Sequence, residues 1–222
     1  MYISYSSNSL NSGSYIGGKP MLPSGLAIPA HPKTGNSMTF FFQILMPENH
    51  TWNGKLISVF CVTDDYVSDK MLPEMVTYNE YGYDVGSSFI KSNQDYFRII
   101  VSDYNSCSIR EDYKEVLTYQ PLMISESEQS SFGFIGDKPL WLLEDETPLT
   151  LDSSNHFDFL FQINLDIDFP KLDTSPRQTI ENFEASSGTR DSYIDDYSLF
   201  AGNSVFFFGE KQSQLIYMVL QS

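Results

Sequence analysis

The side chains that could carry chemistry are few and scattered. Three histidines, His31, His50 and His156, and two cysteines, Cys61 and Cys107, are spread over 222 residues. A histidine can act as a general base near neutral pH, and a thiolate as a nucleophile. Here each histidine lies among turn-forming polar residues, and neither cysteine has a histidine close to it in sequence. The pattern predicts solvated imidazoles and reduced, buried, inert thiols. A Gly-x-Ser-x-Gly elbow, a phosphate-binding loop and a dinucleotide fingerprint are missing, since Gly17-Gly18 runs into Lys19-Pro20 and not into a helix. No catalytic residue follows.

The carboxylates are more numerous. Asp64-Asp65, Glu144-Asp145-Glu146 and Asp195-Asp196 are the adjacent acids. Acid–base pairs are defined by separation in space, and neighbours in sequence read as solvated turns. Asn164-Leu165-Asp166-Ile167-Asp168 alternates oxygen ligands like the opening of a calcium loop. That loop needs Gly where Phe169 stands and Glu where Ser175 stands, so the stretch reads as the solvated face of an ending strand. No Cys-x-x-Cys or His-x-x-x-His spacing offers a zinc site, and no metal or cofactor is assigned. Gln43 and Gln162 are the polar residues inside Phe-rich runs. A buried amide needs partners, so each is expected to tie its strand to the Gly-Pro segment before it, with ligand binding by the pair as the sharper alternative.

The elements that must position these groups are mostly strands. Met38–Met46, Lys55–Val62, Phe97–Val101, Phe157–Leu165, Ser204–Phe208 and Leu215–Leu220 are apolar runs of strand length bounded by turn residues. Phe40, Phe42, Phe159, Phe161, Phe206 and Phe208 are the expected core. Short helices are expected around Lys70–Tyr78 and Glu111–Tyr119, and over Arg177–Ala185, where Ser175-Pro176 is a helix start. Met1–Ser14 reads as a leader, loosely held or laid along an edge.

The chain also matches itself. Ser14–Ile44 set against Gly133–Ile163, an offset of 119 residues, gives ten identities in 31 positions. They include Ile16-Gly17 with Ile135-Gly136, Lys19-Pro20 with Lys138-Pro139, and Gln43-Ile44 with Gln162-Ile163. An internal duplication is the reading. From Gln43 to Gly54 is 11 residues but from Gln162 to Gly202 is 40, so the second copy carries an insertion of 29. The expected architecture is α+β, mainly β: one domain over 1–222, with repeat units at 14–120 and 133–222 sharing one core and a connecting segment at 121–132.

Charge bounds the partners. Thirteen Lys and Arg oppose 29 Asp and Glu, a net charge of −16. Residues 1–120 hold 8 bases and 12 acids, whereas 121–222 hold 5 and 17, so the acidity sits in the second copy. Such a field disfavours nucleic acid and anionic membranes and favours basic partners. The start carries no basic cluster followed by an apolar stretch, and no apolar run is of spanning length, so the expected location is the cytoplasm.

Gly17-Gly18-x-Pro20-x-Leu22-Pro23, Ile28-Pro29, Phe40-Phe41-Phe42-Gln43-Ile44 and Gly54–Phe60 followed by Asp64-Asp65 resemble the YwqG-like family. That family opens with a Gly-Gly-x-Pro-x-Leu-Pro turn. It continues with a Trp-Pro, a Phe-Leu-x-Gln-Ile strand and a Gly-rich strand ending in acids. Ile28 stands where the family has Trp, and the second turn is reduced to Gly136-Asp137-Lys138-Pro139. The resemblance implies a duplicated, mainly β fold without established catalytic residues, and a setting among immunity proteins encoded beside bacterial polymorphic toxins.

Resemblance and charge together point to an immunity protein that binds a cognate basic toxin. Its binding face is expected within residues 137–196, which hold 14 acids and 4 bases. The residues singled out are Glu144, Asp145, Glu146, Asp191, Tyr193, Asp195, Asp196 and Tyr197, acids for attraction and tyrosines as anchors. The alternative is a small-ligand-binding protein or enzyme using a cleft between the two repeat units. A third reading is a structural subunit whose acidity serves solubility.

Overall fold

A computed structural model describes residues 1–7, 13–71, 84–126, 131–183 and 188–222. The protein is mainly β, with two short helices among the described residues, α1 (Ser68–Met71) and α2 (Ser87–Ser92). The first part of the chain forms β1 (Tyr2–Tyr5), β2 (Tyr15–Ile16), β3 (Met21–Pro23), β4 (Thr39–Leu45), β5 (Lys55–Cys61), β6 (Asp84–Val85), β7 (Phe97–Asp103) and β8 (Cys107–Ile109). The middle forms β9 (Gln120–Ser125), β10 (Ser131–Phe134), β11 (Thr150–Leu151), β12 (Asn155–His156) and β13 (Asp158–Ile163). The last part forms β14 (Asp168–Phe169), β15 (Thr179–Glu181), β16 (Thr189–Asp191), β17 (Tyr197–Ser198), β18 (Ser204–Glu210) and β19 (Leu215–Gln221).

Ten strands make one antiparallel sheet in the order β19-β18-β13-β10-β1-β9-β2-β4-β5-β7. The sheet is nearly closed, because its two edge strands come together. At that seam Gln94 Nε2 donates to the Ile216 carbonyl at 3.3 Å and α2 packs over β19, which covers edges that would otherwise be open to pairing.

The 119-residue offset of the sequence match is also the offset of the pairing register. Tyr15 pairs with Gln43 and Phe134 with Gln162. Both Phe-rich strands carry a bulge at the same place, between Phe40 and Phe42 and between Phe159 and Phe161. In the middle of the sheet Ser4 pairs with Met123, the residue at its own offset, and β1 and β9 each pair onward with a strand of the other half.

The bulges decide how the phenylalanines pack. All six expected core residues are buried, but one inserted residue reverses the alternation of faces. Phe40 therefore meets Phe60, Tyr15 and Tyr113, whereas Phe42 points the other way, edge-on to Phe132, Phe161 and Phe207. Likewise Phe159 packs on Phe208 while Phe161 stacks on Phe207 at 4.4 Å. The main core draws residues from both halves, and a second cluster of Phe159, Phe206 and Phe208 is capped by Trp141.

Several local expectations give way to tertiary pairing. The leader and the connecting segment are not peripheral: residues 2–5 and 120–125 are β1 and β9, at the centre of the sheet, with Ile3 and Leu122 wholly buried. Glu111–Tyr119 is not helical, because Tyr113 is drawn into the core, where its hydroxyl accepts from the Phe40 N–H at 2.7 Å. The helix expected over Lys70–Tyr78 lies outside the described residues beyond α1.

Candidate functional site

Between β13 and β18 the chain leaves the sheet and folds into two short antiparallel ribbons, β14 with β17 and β15 with β16. The helix expected over Arg177–Ala185 is therefore replaced by strand β15, with residues 184–185 outside the described set. Ser175 does not cap a helix: its hydroxyl donates to the Val116 carbonyl at 2.8 Å. Gln178 staples the ribbon instead, accepting from Ser198 N and donating to Ser198 O, both at 2.9 Å, and accepting from Ser192 N through its own carbonyl. The Thr179 N–H donates to Thr63 O at 2.9 Å, which anchors the outgrowth to the end of β5.

The outgrowth carries most of the residues singled out in the sequence. Asp191 and Asp195 are exposed and Asp196 half-buried. Asp195 lies 3.2 Å from the Arg177 guanidinium. Tyr193 is 67% exposed and the Arg190 guanidinium lies 3.9 Å from its ring centroid, so the ring is held face-on by a cation. Ile194 beside it is 65% exposed, and Phe183 in the turn after β15 is 81% exposed. Tyr197 is a correction. It is 1% exposed, its hydroxyl donates to Pro176 O at 2.7 Å, and burial pushes its pKa up to about 12. Facing Phe169 at the base of the ribbon, it is a core residue and not an anchor for a partner.

Glu144, Asp145 and Glu146 sit on a different segment, which is clamped to the end of β19. Gln221 Oε1 accepts from the Leu142 and Leu143 N–H groups, and Gln221 Nε2 donates to Glu144 O and Glu146 Oε2. Asp145 is lowered below the usual carboxylate range by hydrogen bonds from Thr147. Leu142 and Leu143 point outward beside these acids. The two acidic groups are thus carried by separate elements.

A cleft of about 390 Å³ opens between the end of β5 and the outgrowth, and sequence reasoning did not find it. Its inner wall is Cys61, Met71 and Phe200, and its mouth carries Asp166, Asp168 and Glu181. Burial pushes the Cys61 thiol up to about 12, so it is a neutral apolar surface and not a nucleophile. Tyr66 donates to Glu181 Oε2 at 3.3 Å. Asp166, Phe200 and Ala201, with φ of 54°, 51° and 56°, are non-glycine residues in the left-handed region, and all three line this cleft.

The histidines also differ from expectation. His31 is 2% exposed against Tyr96. Its Nδ1 accepts from Lys33 N at 3.1 Å, and Nε2 lies 3.5 Å from Asp65 Oδ2 and 4.0 Å from Asp64 Oδ1 without a hydrogen bond to either. Burial raises Asp65, but hydrogen bonds from Tyr96 and Lys33 outweigh it and leave its pKa lowered. This knot ties the loop around His31 to the end of β5. His50 is half-buried, bonded to Trp52 N and Phe159 O, and burial lowers its pKa. Only His156 is exposed.

Cys107 is partly exposed and, like Cys61, free. Among the described residues no group of three or more His, Cys, Asp or Glu is placed to hold a metal ion, and no helix is long and apolar enough to cross a membrane. No family model matches the chain, and no curated protein or solved structure matches it either.

Proposed function

We propose that this chain is a cytoplasmic immunity protein of the YwqG-like kind that binds and neutralises a cognate basic toxin. The observation that carries the reading is the outgrowth between β13 and β18. It displays the exposed apolar side chains Phe183, Tyr193 and Ile194 beside Asp191, Asp195 and Asp196 on a chain of net charge −16. Exposed aromatic and aliphatic groups set among acids are the composition of a surface that meets a basic partner, with charge setting the approach and the apolar groups the residence time. The test is co-expression with each reading frame beside the gene whose product arrests growth. Growth restored by the wild type supports the proposal, and growth arrest unchanged by it refutes it.

A second reading, a small-ligand-binding protein or enzyme, is favoured by the cleft. Its walls come from the end of β5 on one side and the second half's outgrowth on the other, and its volume is in the range of ligand sites.

A further inference from the structure

We infer that the cleft between the end of β5 and the outgrowth is a binding site for an organic cation carried on an apolar stem. The inference rests on the ligand-binding reading; it shares Phe183 and Ile194 with the toxin reading but is tested independently of it.

The charge of the cleft is one-sided. Asp166, Asp168 and Glu181 contribute three carboxylates, and no Lys, Arg or His is in its wall. Among the described residues none of the three is ion-paired. An anion entering here is repelled, and a neutral donor gains a hydrogen bond to a carboxylate but no net charge attraction. An ammonium or guanidinium group gains the attraction of all three carboxylates as well as hydrogen bonds, screened by solvent at the exposed Asp166 and Asp168.

The inner part of the cleft is apolar, while Gln178, Thr179 and Ser198 add polar groups elsewhere in its lining. Cys61, Met71 and Phe200 form a buried inner wall suited to a hydrocarbon stem. Phe183 and Ile194 line the cleft as exposed apolar lips. Phe183 is 81% exposed among the described residues and belongs to the lining of the cleft.

The backbone is held in place for this arrangement. A left-handed conformation is costly for a non-glycine residue and persists where the surroundings enforce it, commonly at sites. Phe200 is enforced by its burial against Phe97, with ring centroids 5.4 Å apart. That leaves the small Ala201 facing the cleft. Asp166 is enforced by its N–H, which donates to Gly202 O at 2.8 Å and fixes the residue at the mouth.

A Lys or Arg side chain of a partner and a free alkylamine share this chemistry. Methyl NMR titrations with n-hexylammonium chloride, with n-hexanol and with the peptide acetyl-Gly-Lys-Phe-Gly-amide test the site and separate the sources. The expected result is that n-hexylammonium shifts the Met71, Ile180 and Ile194 methyls and binds about tenfold more tightly than n-hexanol. That preference is lost in Asp166→Asn/Asp168→Asn, whose other methyl signals stay in place. Tighter binding of the peptide than of n-hexylammonium assigns the site to a partner's side chain, and the reverse to a free amine. Equal binding of n-hexanol and n-hexylammonium, or an unchanged preference in the double variant, overturns the cation and leaves the ligand-binding reading standing. No shift of those methyls with any probe overturns both, while the toxin reading is judged separately by protection of growth.

Discussion

Gln43 and Gln162, 119 positions apart, make the same contact with partners that are also 119 apart: Gln43 Oε1 accepts from Met21 N at 3.0 Å, and Gln162 Oε1 accepts from Leu140 N at 2.7 Å. Each amide also donates to a backbone carbonyl, Gly13 O at 2.7 Å and Leu140 O at 3.3 Å. Gln43→Leu and Gln162→Leu keep the volume but leave the backbone groups they bond, wholly or partly buried around Gln43 and more exposed at Leu140, without these partners. Each variant is expected to lose about 1–3 kcal/mol in urea unfolding, with the loss larger at Gln43, which is wholly buried. Unchanged midpoints in both would show that these contacts do not tie the strands down.

Gly209 is where one half of the sheet closes on the other. A Cβ there would come within 2.5 Å of Trp52 Cζ2 and 2.9 Å of Leu160 Cδ1. Trp52 is buried and its Nε1 donates to Asp158 Oδ2 at 2.8 Å, so it has little room to move. Gly209→Ala is expected to cost about 1–3 kcal/mol and to alter Trp fluorescence in the folded state. A melting temperature and a spectrum both equal to wild type would contradict this packing.

Stability should fall in alkali. Burial pushes Cys61, Tyr113 and Tyr197 up to about 12, from ordinary values of 9.0 for the thiol and 10.0 for the phenols. The folded chain keeps these groups neutral at a pH where the unfolded chain ionises. Their contribution is complete below about pH 9 and is lost as pH rises toward about 12. Urea midpoints are expected to decline from about pH 9 upward, and Cys61→Val to delay the onset by about one pH unit, to where the phenols take over. A midpoint constant across that window would show the groups to be solvated.

The apolar runs announced β4, β5, β13 and β18 because each is apolar over strand length, and the offset of 119 set Gln43 and Gln162 as equivalent positions. The two central strands were not legible. Tyr2-Ile3-Ser4-Tyr5 buries only Ile3 and Ser4, and Gln120–Ser125 only Leu122, so composition alone presents them as a leader and a joint. Their pairing is long-range and has no local signature. The same holds for the bulges at Phe41 and Leu160, which place Phe40 and Phe42 on opposite faces. At Ser175-Pro176 the local helix signal was real but lost to the Gln178 staple and the bond to Val116. The cleft was invisible because Cys61, Asp166 and Phe200 meet only in the fold, and a left-handed Phe200-Ala201 has no sequence mark.

The most direct test of the toxin proposal is the association rate of the purified protein with any growth-arresting product encoded beside its gene, at low and at high salt. The account predicts fast association that slows with salt. It also predicts at least about tenfold slower association for Asp195→Lys/Asp196→Lys, with a flatter salt dependence and unchanged folding. No binding by the wild type, or a double variant indistinguishable from it at both salt concentrations, would contradict the acidic outgrowth as the neutralising face.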